Sequence, residues 1–182
     1  DSLEGKKILV QGVGNVGRKL IDHLLKENAK VSVCDINSVN LDLISDKKVT
    51  VVSSENIYDD SYDIISPCAL GGTINKNSLK EIKCDIIAGA ANNQLENDSD
   101  VPNEINNKNI LYVPDFLINA GGIISVYHEQ INNLDLNKVM EMTGLIYDKV
   151  SSVIKYSDEN SISTNSSAIQ LAKDRIIENS KK

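Results

Sequence analysis

Ile8-Leu-Val-Gln-Gly-Val-Gly-Asn-Val-Gly17 joins an apolar strand to a G-x-G-x-x-G turn that opens a helix. Each glycine in it has a mechanical task. Gly12 lets the chain turn sharply off the strand, Gly14 has no Cβ to keep a ligand from the backbone, and Gly17 lets the helix pack close to the sheet. The free N–H groups and positive dipole end of that helix, from Gly12 through Val13, Gly14, Asn15 and Val16, suit a pyrophosphate. The next strand, Ala29 to Asp35, ends in a carboxylate 23 positions after Gly12. That spacing is close to the roughly 20 residues that place an acid on the adenosine ribose hydroxyls of a dinucleotide. Asp35 is followed by Ile36, Asn37 and Ser38, with no cation for a 2′-phosphate, so the pattern favours NAD over NADP. Taken alone, Asp35 also reads as a turn or N-cap aspartate.

Working outward, apolar and β-branched runs alternate with helical segments. Helices are expected over 15–27, 40–45 and 76–82, and further strands at Lys48–Val52, Asp63–Ser66, Cys84–Ala88 and Asn109–Val113. Residues 92–107 are polar and Asn-rich, a loop with a helical turn after Pro102. This alternation predicts an α/β fold of Rossmann type, a doubly wound parallel sheet with additional C-terminal helices. Residues 1–130 form the expected dinucleotide-binding core and 131–182 a helical extension packing on it. In such a sheet the ligand crevice lies outside the C-terminal strand ends. Gly12–Gly17, Asp35, Pro67–Gly72, Gly89–Gln94 and Pro114–Gly122 all follow strands, so they share one rim. Beyond Ser125 the pattern becomes helical. Val139, Met142, Ile146, Val150 and Val153, and again Ile169, Ala172 and Ile176, recur at helical spacing and are expected to pack in the core. The polar stretch 158–167 breaks the two helices.

Composition excludes several classes. The 182 residues carry a net charge of −7 and no dense basic patch, which argues against nucleic acid. No apolar run reaches membrane-spanning length, and no signal peptide precedes the first strand, so the expected location is the cytoplasm. Cys34, Cys68 and Cys84 are odd in number and form no C-x-x-C, and His23 and His128 lack companion ligands. Buried thiols in a reducing compartment, and no metal site, follow from that pattern. The chain begins with Asp1 and reaches its first strand at once, as a piece of a longer protein would.

Four segments carry a family resemblance: Gly12–Gly17, Ser66-Pro-Cys-Ala-Leu-Gly71, Ile87-Ala-Gly-Ala-Ala-Asn-Asn-Gln-Leu95 and Pro114-Asp-Phe-Leu-Ile-Asn-Ala-Gly-Gly122. With them the chain, from about Gly5 to Ile177, resembles the C-terminal NAD-binding domain of the Glu/Leu/Phe/Val amino-acid dehydrogenases, the leucine dehydrogenase branch most. The resemblance implies reversible NAD-dependent oxidative deamination of a branched-chain, leucine-like amino acid to its 2-oxo acid and ammonia. By position it implies that Cys68 and Ala69 line the path near the nicotinamide ribose, that Asn93 sits by the nicotinamide, and that Asn119 binds the carboxamide. A side-chain amide both donates and accepts, as a carboxamide requires. Ile123 and Val126 match the substrate side-chain pocket, although a buried helix face looks the same. Cys68 also reads as a small buried hydrophobe, and Asn92 and Asn93 as loop residues.

The family's two catalytic lysines and its aspartate belong to an N-terminal substrate domain built around a Gly-Gly-Lys segment. This sequence contains no Gly-Gly-Lys, so no catalytic residue is expected in it. The amino-acid substrate would be held through that other domain, and the full-length parent would be a homo-oligomer. Phenylalanine or valine dehydrogenase, and a non-catalytic NAD-binding module or truncated relic, remain open. A hydroxy-acid dehydrogenase would need a catalytic His in an Arg/Glu/His setting, which His128 lacks. The terminal helices of the family pack back towards the other domain, so 163–176 is expected to expose an apolar stripe without it.

Overall fold

A computed structural model describes residues 2–96, 100–131 and 135–180. Six parallel strands form one sheet: β1 Lys7–Gln11, β2 Lys30–Cys34, β3 Thr50–Val51, β4 Tyr62–Pro67, β5 Cys84–Ile87 and β6 Leu111–Tyr112. Their order is β3-β2-β1-β4-β5-β6, the doubly wound arrangement with a crevice where the order reverses at β1. In register, Gln11 pairs with Cys34 on one side and Pro67 on the other, so three motif-bearing strands end level.

The two faces of the sheet bury separate apolar clusters. Ile8, Val10 and Val33 pack with Ile21 and Leu24 of α1 (Asn15–Lys26). On the opposite face Leu9, Ile65 and Ile87 pack with Leu79 of α3 (Ser78–Glu81) and with Val101 and Ile105 of α4 (Val101–Asn107). The 92–107 stretch therefore holds a true helix, starting one residue ahead of Pro102; residues 97–99 of it lie outside the described residues. Pro102 fits there because first-turn N–H groups need no helical partner.

The edge strands are shorter than expected. β3 has a neighbour on one side only, pairing at Ser32–Thr50 and Val33–Val51. β6 cannot begin at Asn109, which lies just past the end of α4 with a left-handed backbone at φ 57°. Helix α2 spans Ser38–Asp42, earlier than the expected 40–45, because the Asn37 side chain accepts from the Val39 N–H at 3.0 Å and caps it.

Internal contacts divide the chain into two compact units, Asp1–Tyr112 and Val113–Lys182. The second holds α5 Asp115–Ile118, α6 Gly121–Gln130, α7 Leu136–Gly144, α8 Ile146–Asn160 and α9 Thr164–Ser180. Its boundary falls ahead of residue 130 because α5 packs on α8 and α6 on α7. Helix thus begins at Asp115, well before Ser125. Pro114 pre-sets the entry, and Asp115 Oδ1 accepts from the Phe116 N–H at 2.6 Å.

The apolar stripes divide. Val139 and Val153 are buried, whereas Met142 is exposed. The stripe of Ile169, Ala172 and Ile176 is not core packing: all three are exposed. α9 instead buries Thr164, Ser167 and Ala168, small residues at i, i+3 and i+4 that let α9 come close to α8. The isoleucines therefore point away, as expected for an apolar stripe on 163–176.

Candidate cofactor site

The turn after β1 is held by both neighbouring strands. The Gly12 N–H donates to the Cys34 carbonyl at 2.8 Å, and the Cys68 N–H donates to the Gln11 carbonyl at 2.7 Å. Gly12 has φ +105°, and a Cβ there would lie 2.8 Å from the Ala69 nitrogen. A Cβ on Gly17 would collide with the Gly12 carbonyl oxygen, so α1 starts against the turn itself. Gly14 is the contrasting case. It is the N-cap of α1, and a Cβ built on it meets nothing within 4 Å. The space its missing side chain leaves is open, beside first-turn N–H groups that have no i−4 carbonyl to bond. Asn15 and Val16 stand exposed on that turn, and Asn15 Oδ1 accepts from Arg18 Nη2 at 2.7 Å. Val13 differs from them. Its side chain is fully buried, and its N–H is already engaged.

That N–H donates to Asp35 Oδ2 at 2.7 Å. Asn40 Nδ2 reaches the same oxygen at 3.1 Å, and the Asn37 N–H donates to Oδ1 at 2.8 Å. Burial works to raise the Asp35 pKa, but the three donors together outweigh it and hold the carboxyl below its ordinary value. Asp35 is thus both the turn aspartate and a fixed anion aimed across the glycine turn. Sequence reasoning missed Asn40, whose signal was its place on a short helix capped two residues beyond Asp35.

Gly12, Gly14, Asp35, Cys68 and Ala69 line one cavity of about 610 Å³. Ile36 and Leu70, 90% and 82% exposed, also line it. Both were overlooked, although each directly follows a motif residue at a strand end. Burial pushes the thiols of Cys34 and Cys68 up, Cys34 to about 11. Both therefore stay protonated at neutral pH and serve as small wall groups rather than nucleophiles.

Asn93 lies on the neighbouring rim loop, with a left-handed backbone at φ 52° and its carbonyl accepting from the Gly72 N–H at 2.7 Å. The remaining residues lie in the second unit. Asn119 caps the C-terminus of α5, its N–H bonded to the Asp115 carbonyl at 3.0 Å. The Gly121-Gly122 pair opens α6 as helix rather than forming a turn. Ile123 and Val126, 68% and 45% exposed, stand three residues apart on α6, so they do not form a buried helix face. Among the described residues no group of His, Cys, Asp and Glu is placed to hold a metal, and no helix is long and apolar enough to cross a membrane.

Comparison with known proteins decides the lineage. Residues 36–182 match the family described as glutamate/leucine/phenylalanine/valine dehydrogenase. The chain belongs to that family. It is 42% identical over 177 residues to an L-tryptophan dehydrogenase of Nostoc punctiforme, an alignment covering 96% of this chain and 49% of that protein. It is 40% identical to a leucine dehydrogenase of Thermoactinomyces intermedius, over 97% of this chain and 48% of the relative. A crystal structure of the Nostoc punctiforme L-tryptophan dehydrogenase superposes with a TM-score of 0.95 at 39% identity, covering 100% of this chain and 55% of that one. The chain spans about half the length of the curated relatives it matches.

Proposed function

We propose that this chain is the NAD-binding part of an amino-acid dehydrogenase that reversibly deaminates a branched-chain, leucine-like L-amino acid to its 2-oxo acid and ammonia. The observation that carries the reading is the open space at Gly14, on a helix N-terminus, beside an ionised Asp35 on the wall of the same cavity. The group fits the residues: the vacant Cβ position admits a pyrophosphate to the backbone, and a fixed carboxylate suits ribose hydroxyls.

In this reading the N–H groups of Gly14, Asn15 and Val16 hold the pyrophosphate, with Gly12 and Gly17 shaping the turn. Val13 contributes by fixing Asp35 through its N–H. Asp35 accepts from the adenosine ribose hydroxyls and repels a 2′-phosphate, which selects NAD over NADP. Cys68 and Ala69 border the path to the nicotinamide ribose, and Asn93 and Asn119 hold the nicotinamide end. NAD, when bound, supplies the hydride acceptor. Ile123 and Val126 offer the substrate side chain an apolar wall. Relatives named for tryptophan, leucine and phenylalanine keep the aromatic alternatives in the test.

The groups that bind the substrate carboxylate and move the proton would come from an N-terminal domain, and the parent would be a cytoplasmic homo-oligomer. A purely NAD-binding module is the second reading. The full-length parent, assayed for NADH formation with leucine, valine, isoleucine, phenylalanine, tryptophan and glutamate, separates the two. Turnover fastest with leucine is expected; no NADH with any of them leaves the module reading.

A further inference from the structure

We infer that Gln94 is a positioning residue, whose side-chain amide sets Asn93 against the rim of the cofactor site. Gln94 has no exposed surface. Its Nε2 donates both protons, to the Gly89 carbonyl at 2.7 Å and the Ala91 carbonyl at 3.0 Å. Those carbonyls belong to the tight turn leaving β5. The Ala91 N–H in turn donates to the Pro67 carbonyl at 2.9 Å, and a Cβ on Gly89 would lie 2.5 Å from the Pro67 nitrogen. The amide therefore clamps the β5 exit turn, and the Ala91 N–H holds that turn against the end of β4.

From that clamp the chain runs through Asn93 in its left-handed conformation into a second set of bonds. The Gly72 N–H donates to the Asn93 carbonyl, and the Ile74 N–H to the Gln94 carbonyl at 3.0 Å. The Glu96 N–H returns to the Ile74 carbonyl at 2.8 Å, and Ile74 and Leu95 form a parallel bridge. Gly71 lies so close that a Cβ on it would be 2.6 Å from the Asn93 oxygen. The buried amide thus fixes the turn that precedes Asn93, and main-chain bonds of Asn93 and Gln94 hold the loop on which Asn93 rests. The glycine turn and Asp35 are held by other bonds, Gly12 to Cys34, Cys68 to Gln11 and Val13 to Asp35, none of which uses Gln94.

The inference rests on the reading of Asn93 as a contact at the nicotinamide end, and it makes the two halves of NAD separable. Gln94→Met keeps the volume and removes both donors. In the 182-residue chain, calorimetric titration with NAD should show a loss of affinity of about ten-fold or more, as two buried hydrogen bonds imply, while ADP binds within about two-fold of wild type. Equal losses for NAD and ADP, or no loss for NAD, overturn the inference. Wild-type chain that binds NAD no more tightly than ADP removes the role of Asn93 and the inference with it. Wild-type chain that binds neither overturns the cofactor reading itself. Should the variant not fold, hydrogen exchange on the wild-type chain decides. An Ala91 N–H as protected as those of β4 supports the clamp, and exchange at open-loop rates refutes it.

Discussion

At the scale of single residues, the three glycines of the turn separate fold from function. Gly14→Ala should fold with a loss below about 1 kcal/mol, since its Cβ meets nothing and only a modest N-cap preference is forfeited. The same methyl would stand where the pyrophosphate belongs, and NAD affinity should drop by about ten-fold or more in a binding titration. Gly12→Ala and Gly17→Ala should instead cost roughly 2–4 kcal/mol in chemical denaturation, because their methyls meet backbone atoms. Asp35 offers a pH test. Its folded pKa lies below the unfolded value, so its contribution to stability is present above the unfolded value, near 4, and is lost as pH falls through the lower folded one. Wild type should therefore be more stable than Asp35→Asn at pH 7, with the gap closing below about pH 4 in acid denaturation. NAD affinity should stay flat with respect to this group from pH 8 to 5.

At the scale of elements, the short helix α2 serves the site as well as the sheet edge. Asn37→Ala removes its cap and should cost about 1 kcal/mol. Loosening α2 also releases Asn40 from Asp35, so a modest loss of NAD affinity should accompany it. Helix α9 makes the opposite prediction. Ile176→Ser should change the stability of this chain by less than about 0.5 kcal/mol in a thermal melt, because Ile176 is 69% exposed.

The strands and their rim motifs were legible in the sequence because most of the apolar β-branched runs end in Gly, Asp or Pro, and parallel topology then places those ends together. The lengths of β3 and β6 were not, since an edge strand is set by its one neighbour and by Asn109 leaving the helix. The face of α9 was misread because Thr164, Ser167 and Ala168 carry little hydrophobic signal, and their value is the close approach they permit. Val13 and Asp35 were visible as motif residues, but their mutual hydrogen bond spans 22 positions and has no local signature. Gln94 looked like one more polar loop residue for the same reason.

At the scale of the molecule, the first unit holds the glycine turn, Asp35 and the cavity between them, and the second unit holds Asn119, Ile123 and Val126. With no Gly-Gly-Lys segment, the 182-residue chain should bind NAD yet form no NADH with leucine, while the full-length parent does both. The central claim is that the turn and Asp35 together make an NAD site. Calorimetric titration of this chain with NAD and then NADP tests it most directly. Saturable binding of NAD at one site, with NADP weaker by about ten-fold or more, is the predicted result. No NAD binding, or NADP bound as tightly as NAD, would contradict it.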